Sequence, residues 1–263
     1  MTDLTRRTVW ITGASAGIGE GLAVTAARRG ARLVLSARRT AELERVRARC
    51  PAPGDVAVLP LDLERFDAAD AAARAAAPFG PIDVLVNNAG LSQRSLVADT
   101  ELAVYRRLME LDFFAPVALT RAVLPAMLER GGGHIVAISS VAGQVATPLR
   151  AGYAAAKHAL NGFCDALRAE VYDRGVRVTV VMPGFIRTDV SVNALTAGGA
   201  AQGTMDAAQA KGMDPLDCAE RIWRAVAADR SAVTMGGVET WIPLVKRLSP
   251  RLVEHLMRRV KVT

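Results

Sequence analysis

The chain has 263 residues, 51% apolar and 22% charged, with aromatics at only 5%; this suffices for one substantial core in a single domain over 1–263 and excludes a disordered chain. Cys50, Cys164 and Cys218 are odd in number, far apart and without a C-x-x-C pairing, which excludes a disulfide framework and a metal site and points to a reducing, cytoplasmic setting. A net charge of +7 raises nucleic acid as a partner, but no zinc-finger or RNP signature accompanies it, so none is expected.

Six short apolar runs follow one another: TVWIT from Thr8, RLVLSA from Arg32, VAVLPL from Val56, DVLVNN from Asp83, HIVAIS from His134 and VRVTVVMP from Val176. Between them lie alanine-rich or amphipathic stretches that predict helices over 17–29, 40–50, 65–77, 102–130 in two pieces, 153–174 and 215–228. Gly30, Gly131 to Gly133 and Gly175 stand where helix stop signals belong. The strand runs are too uniformly apolar for a sheet with one wet face, so they read as parallel strands covered on both sides. An α/β domain follows, a doubly wound Rossmann-type sheet of about seven strands. No charged-then-apolar leader precedes Thr8, and no run approaches the roughly 18 apolar residues of a spanning helix, so contact with a membrane is expected at its surface or not at all. Residues 189–214, rich in glycine and alanine and without period, are the candidate lid.

The first strand runs straight into TGASAGIG, which puts Gly13, Gly17 and Gly19 at a strand-to-helix turn. Glycines there let the backbone approach a pyrophosphate, and the helix that follows presents open N–H groups to it. The spacing G-x-x-x-G-x-G fits the general dinucleotide fingerprint poorly. Further along stand NNAG at Asn87 to Gly90, Ser140 at the end of the fifth strand, Tyr153 and Lys157 four residues apart, and PGFIRTD from Pro183. With these five motifs in register over about 180 residues, the chain resembles the short-chain dehydrogenase/reductase family.

That resemblance implies an oxidoreductase that moves a hydride between a nicotinamide cofactor and a ketone or secondary alcohol. A tyrosine hydroxyl ordinarily titrates near 10, too high for acid–base work at neutral pH without help. Lys157 lies on the same helix face as Tyr153 and implies both that help and a hold on the nicotinamide ribose. Ser140 is implied to orient the substrate oxygen. Around the cofactor, the resemblance implies contacts from Gly13, Ser15, Gly17, Ile18 and Gly19 at the turn. It adds Asp62 and Leu63 at the adenine, Asn88, Ala89 and Gly90 along the chain of the cofactor, and Ile186 and Thr188 near its carboxamide and phosphates. Read without the family, Asp62 is a helix cap. A homodimer or homotetramer is implied as well.

NAD-binding members carry an acid after the second strand for the ribose 2′-hydroxyl. Here Ala37 is followed by Arg38 and Arg39, with no acid until Glu42, so a 2′-phosphate would meet two guanidinium groups and no carboxylate. NADP, as NADPH, is the expected cofactor, NAD the less fitting one, and reduction the implied direction. Asp112 stands where the family has an asparagine that braces its helix while its main-chain carbonyl holds a water. Asp112 is also the single feature that favours an alternative, a dinucleotide-binding regulatory protein without turnover. Within the family the likeness is greatest to the member-seven-B-like group, through YAAAKHALNGFCDALRAE, SVNALTA and SPRLVEHLMRRV. That group implies membrane association in animals and apolar or lipid-like substrates, and the resemblance covers the catalytic domain and the tail. The tail, 244–263, carries Lys246, Arg247, Arg251, Arg258, Arg259 and Lys261 against Glu254 alone, beside an apolar face of Leu252, Val253, Leu256, Met257 and Val260. It is expected to lie on an anionic lipid surface or to dock on the domain or a second subunit.

Overall fold

A computed structural model describes residues 3–258. Seven strands form one fully parallel sheet: β1 (Thr8–Thr12), β2 (Arg32–Ala37), β3 (Val56–Pro60), β4 (Val84–Asn87), β5 (Gly133–Ile138), β6 (Val176–Pro183) and β7 (Ala232–Met235). Their order is β3-β2-β1-β4-β5-β6-β7. Trp10 of β1 pairs with Val34 on one side and Leu85 on the other. The direction of winding reverses between β1 and β4, and a parallel sheet opens a crevice beyond the carboxyl ends of its strands at that point.

The helices are α1 (Gly17–Ala27), α2 (Thr40–Ala48), α3 (Ala68–Ala76), α4 (Leu102–Met109), α5 (Ala115–Glu129), α6 (Ala151–Glu170), α7 (Ala207–Ala210), α8 (Pro215–Ala227), α9 (Ile242–Leu248) and α10 (Pro250–Met257). Alternation along β1 sorts the core into two layers: Val9 and Ile11 face Leu22 of α1 and Trp223 of α8, whereas Trp10 faces Leu119 of α5 and Leu160 of α6. Both tryptophans are fully buried with their indole N–H satisfied, Trp10 by Ser36 Oγ at 2.9 Å and Trp223 by Leu22 O at 3.1 Å. Truncating either would cost about 3–5 kcal/mol.

The departures from the predicted elements are local. β7 was absent from the six apolar runs because its four residues sit at the sheet edge, half exposed, and give no apolar block. α3 starts at Ala68 rather than at residue 65, since Asp67 accepts from the N–H of Asp70 at 2.8 Å and caps the helix there. α6 starts two residues before Tyr153 and stops at Glu170, and 172–174 is a separate 3-10 turn. The run over 102–130 is one continuous helical path whose two α pieces are joined by a π-helical turn, Glu110–Phe114. Contrary to the expectation that no run approaches a membrane span, this Leu102–Glu129 path is long and apolar enough to cross one by length and composition. It packs instead on α3 and α6 and buries Asp112 in its middle.

Candidate active site

Gly13 follows β1 with φ +63°, and a Cβ there would stand 2.7 Å from the Cα of Ala89, so the turn rests directly on the backbone leaving β4. Asn88 ties the two together: its Nδ2 donates to Thr12 O at 2.9 Å and to Gly13 O at 3.1 Å. Thr12 Oγ1 accepts in turn from the N–H groups of Asn88 and Ala89. The first turn of α1 lacks a side-chain cap, which leaves its N–H groups facing the crevice beside Ser15, Gly17 and Ile18. Arg38 and Arg39 line the same crevice, Arg39 Nη2 lying 3.5 Å from Ser15 Oγ.

One expectation needs correction at this end. The arginines are not free of carboxylates, because Glu64, arriving from β3, stands 3.6 Å from Arg38. Arg107 already engages both Glu64 oxygens, at 2.9 and 3.0 Å, so little of that charge is left to oppose an anion beside Arg38. Asp62 caps the turn that carries Glu64, accepting its N–H at 3.1 Å, and also lines the crevice next to Leu63.

At the other end, α6 presents Tyr153 and Lys157 one turn apart, the ammonium 5.8 Å from the centre of the tyrosine ring. Lys157 Nζ donates to Ile138 O at 3.0 Å and lies 2.9 Å from Asp112 Oδ1, an ion pair without the alignment of a hydrogen bond. Asp112 is fully buried in the π-helical turn, a device that re-aims one side chain within a helix, and its Oδ2 accepts from Leu91 N at 3.3 Å. Gly90 makes the space, since a side chain there would run into this carboxylate. Burial pushes the Asp112 carboxyl up, against the pull of Lys157. The same burial pulls the Lys157 ammonium down, but the charges of Asp112 and Tyr153 outweigh it and hold Lys157 above its ordinary value. Ser140 does not end β5; it lies two residues beyond, capping the 3-10 turn Val141–Gly143 by accepting from Ala142 N at 3.1 Å and donating to Pro183 O at 3.3 Å. From that turn it borders the cleft with Tyr153.

The expected lid, 189–214, is pinned to the loop after β4. Leu195 and Ser92, and Arg94 and Leu195, are joined by backbone bonds of 2.8 Å, and Asp206 pairs with the buried Arg94. Ile186 is buried and bridged to Met213; Thr188, near Gln209, borders the cleft. Above them, α9 and α10 send Ile242 and Met257 to the cleft wall, bury Val253 and tie Lys246 Nζ to Gln144 O at 2.8 Å. One side of the tail thus docks on the domain, while Leu252 and Leu256 stay about half exposed. Arg259, Val260 and Lys261 lie outside the described residues. The whole cleft, about 900 Å³, runs from Arg38 to this wall.

A family model of short chain dehydrogenases matches residues 7–197. The chain belongs to the short-chain dehydrogenase/reductase family. It is 43% identical over 265 residues to a Drosophila melanogaster dehydrogenase/reductase SDR family protein 7-like, covering 98% of this chain and 81% of that one. To the Bos taurus SDR family member 7B it is 42% identical, covering 95% and 79%. A crystal structure of a short-chain dehydrogenase from Streptomyces avermitilis superimposes with a TM-score of 0.82 at 31% identity, over 96% of both chains. The protein is therefore an oxidoreductase of the NAD(P)-using short-chain class, built on the expected Rossmann-type sheet. The open turn of α1, the close approach at Gly13 and the length of the cleft fit an extended dinucleotide. Motif reading missed Arg94, Arg150, Phe185 and Glu239, which border the substrate end of the cleft. Two of them had a signal, Arg150 three residues before Tyr153 and Phe185 within PGFIRTD.

Proposed function

We propose that this short-chain dehydrogenase/reductase uses NADP(H) to reduce a ketone, or oxidise the matching secondary alcohol, on a substrate with an apolar, lipid-like body. What supports the chemistry most directly is Lys157, held by Asp112 and Ile138 O in a buried position beneath the ring of Tyr153. The bound cofactor supplies the hydride. Tyr153 then gives the proton of its hydroxyl to the carbonyl oxygen, and the Lys157 ammonium steadies the phenolate left behind. Ser140 Oγ, turning from Pro183 O, donates to the same oxygen and holds it in line.

For the cofactor, the pyrophosphate belongs at Gly13 to Gly19 on the α1 end, the adenine beside Asp62 and Leu63, and the nicotinamide half among Asn88, Ala89, Gly90, Ile186 and Thr188. The 2′-phosphate belongs to Arg38 and Arg39. Fluorescence titration should find NADPH bound at least about tenfold more tightly than NADH, about 1.4 kcal/mol, a modest demand on charge-assisted bonds. Arg38→Asp should remove that preference; equal affinities in the parent protein would overturn the assignment.

A further inference from the structure

The loop after β4, the start of α6 and the segment before α7 bring three charged side chains together at the substrate end of the cleft. Arg94 and Asp206 have side chains 3% and 2% exposed, and Arg150 is 13% exposed. Two guanidinium groups thus share one carboxylate. Arg94 takes most of it: its Nε, at 2.9 Å, and its Nη2 both bond Asp206 Oδ2, while its Nη1 donates to Ser92 Oγ and Gln93 O. Gln202 occupies the other carboxylate oxygen at 3.0 Å. Arg150 reaches the shared oxygen only through Nη2 at 3.4 Å. Its Nε is buried without an acceptor, and its Nη1 has no hydrogen bond among the described residues.

Besides Asp206, Tyr153 also favours the charged form of Arg150, but among the described residues no further carboxylate is free to take the excess positive charge. Asp112 is taken by Lys157, Glu239 accepts the N–H groups of Phe185 and Gly237, and Asp62 and Glu64 serve the turn and arginines at the opposite end. Asp189 is exposed, with no ion pair among the described residues. The Phe185 ring lies 5.9 Å from the Arg150 guanidinium, adding a weak cation–π contact and no countercharge. Burial, then the neighbouring Arg94, pulls Arg150 down to about 10, which leaves it protonated at neutral pH. A cation held this dry with open donors is costly unless an anion meets it, and a guanidinium fork matches a planar oxyanion such as a carboxylate as well as it matches a phosphate.

We propose that Arg150, backed by Arg94, binds a carboxylate on the substrate, so that the ketone this enzyme reduces is an oxo acid with an apolar chain. The apolar wall of Val145, Leu195, Ile242 and Met257 borders the same cleft and suits that chain. The inference rests on the oxidoreductase reading above, deepens it by naming the substrate class, and is tested first without turnover. With the protein saturated in NADP+, calorimetry should find octanoate bound at least tenfold more tightly than methyl octanoate. Arg150→Gln should bring the two within about twofold of each other, and Arg150→Lys should retain part of the difference. Equal binding of acid and ester by the parent protein overturns the proposal whether or not the variants fold, as does an unchanged preference in folded Arg150→Gln. With turnover, the ratio of kcat/KM for 3-oxo-octanoate to that for its methyl ester should fall at least tenfold in Arg150→Gln; a mere brace for Asp206 would leave the ratio alone. Loss of the octanoate preference in the variant with neither oxo compound reduced by the parent would uphold the anion site and count against the proposed ketone reduction. Reduction of acid and ester alike would do the reverse.

Discussion

The two ends of the cleft are built in different ways. The proposed cofactor end is made of short runs of neighbouring residues: the turn from β1 into α1 carries Gly13 to Gly19, and β2 delivers Arg38 and Arg39 beside it. Its contacts are neutral bonds between side chain and main chain, as where Thr12 Oγ1 and Asn88 Nδ2 join Thr12 and Gly13 to Asn88 and Ala89. The proposed substrate end gathers Arg94, Arg150, Asp206, Ile242 and Met257 from five places in the chain and fastens the first three to one another by buried side-chain charge. Losing one neutral bond of that kind costs about 1 kcal/mol, whereas a buried ion pair fails when one partner is lost. The first end should therefore bind cofactor under insults that disable the second.

The largest separation is expected from Tyr153→Phe, which deletes one hydroxyl at the substrate end. Turnover should drop at least about a hundredfold, the usual worth of a positioned proton donor. NADPH affinity should stay within about twofold. A variant that reduces a verified ketone at more than a tenth of the parent rate would show that Tyr153 is not the proton donor.

A smaller but still sizeable effect is expected where the substrate end is fastened. Asp206→Asn leaves the two arginines facing each other without a carboxylate, and breaking a buried pair in this way costs about 3 kcal/mol, the low end of the usual range because exposed residues 203–205 adjoin it. Urea unfolding should show that loss and steady-state kinetics a raised KM for ketone, while NADPH titration stays near the parent value. Should NADPH binding fall together with ketone binding, the two ends are one cooperative unit and the contrast between them is mistaken.

This contrast also explains what the sequence made legible. TGASAGIG, NNAG and Tyr153 with Lys157 are local patterns whose spacing fixes their geometry, so turn, strand end and helix face appear where those patterns put them. Five strands were visible as apolar runs because central strands of a parallel sheet are buried on both faces, and β3 showed as well, its VAVLP being wholly apolar although it lies at an edge. The Arg94–Asp206 pair joins residues 112 positions apart, and neither stands in a motif. Glu64 escaped notice beside Arg38 for the same reason, its approach depending on how β3 lies against β2. In the tail, the amphipathic pattern announced an apolar face but not that Val253 and Met257 turn inward while Leu252 and Leu256 remain half exposed.

The smallest expected effect falls on Asp112, the one position where the catalytic end departs from the pattern it resembles. Its carboxylate lies 2.9 Å from Lys157 and, with Tyr153, holds that ammonium above its ordinary value although burial works in the opposite direction. A lysine raised in this way keeps its proton below its unfolded value near 10.5, keeps the stability that goes with the pair there while Asp112 stays ionised, and loses both as pH climbs through the folded value. Asp112→Asn keeps the main chain and the shape, so Leu91 N still has an oxygen to donate to. It removes the charge, however, and burial then dominates Lys157 and brings it down. Turnover at pH 7 should change by less than about tenfold, a difference of about 1.4 kcal/mol, and in the direction of a gain, because the ammonium is released to serve Tyr153 alone. The alkaline limb of the kcat/KM profile should move to lower pH for the same reason. Steady-state rates of both forms from pH 6 to 11, with one cofactor and one ketone, read both effects. An Asn form with no activity, or one whose alkaline limb moves upward, would mean that Asp112 does not set the charge state of Lys157.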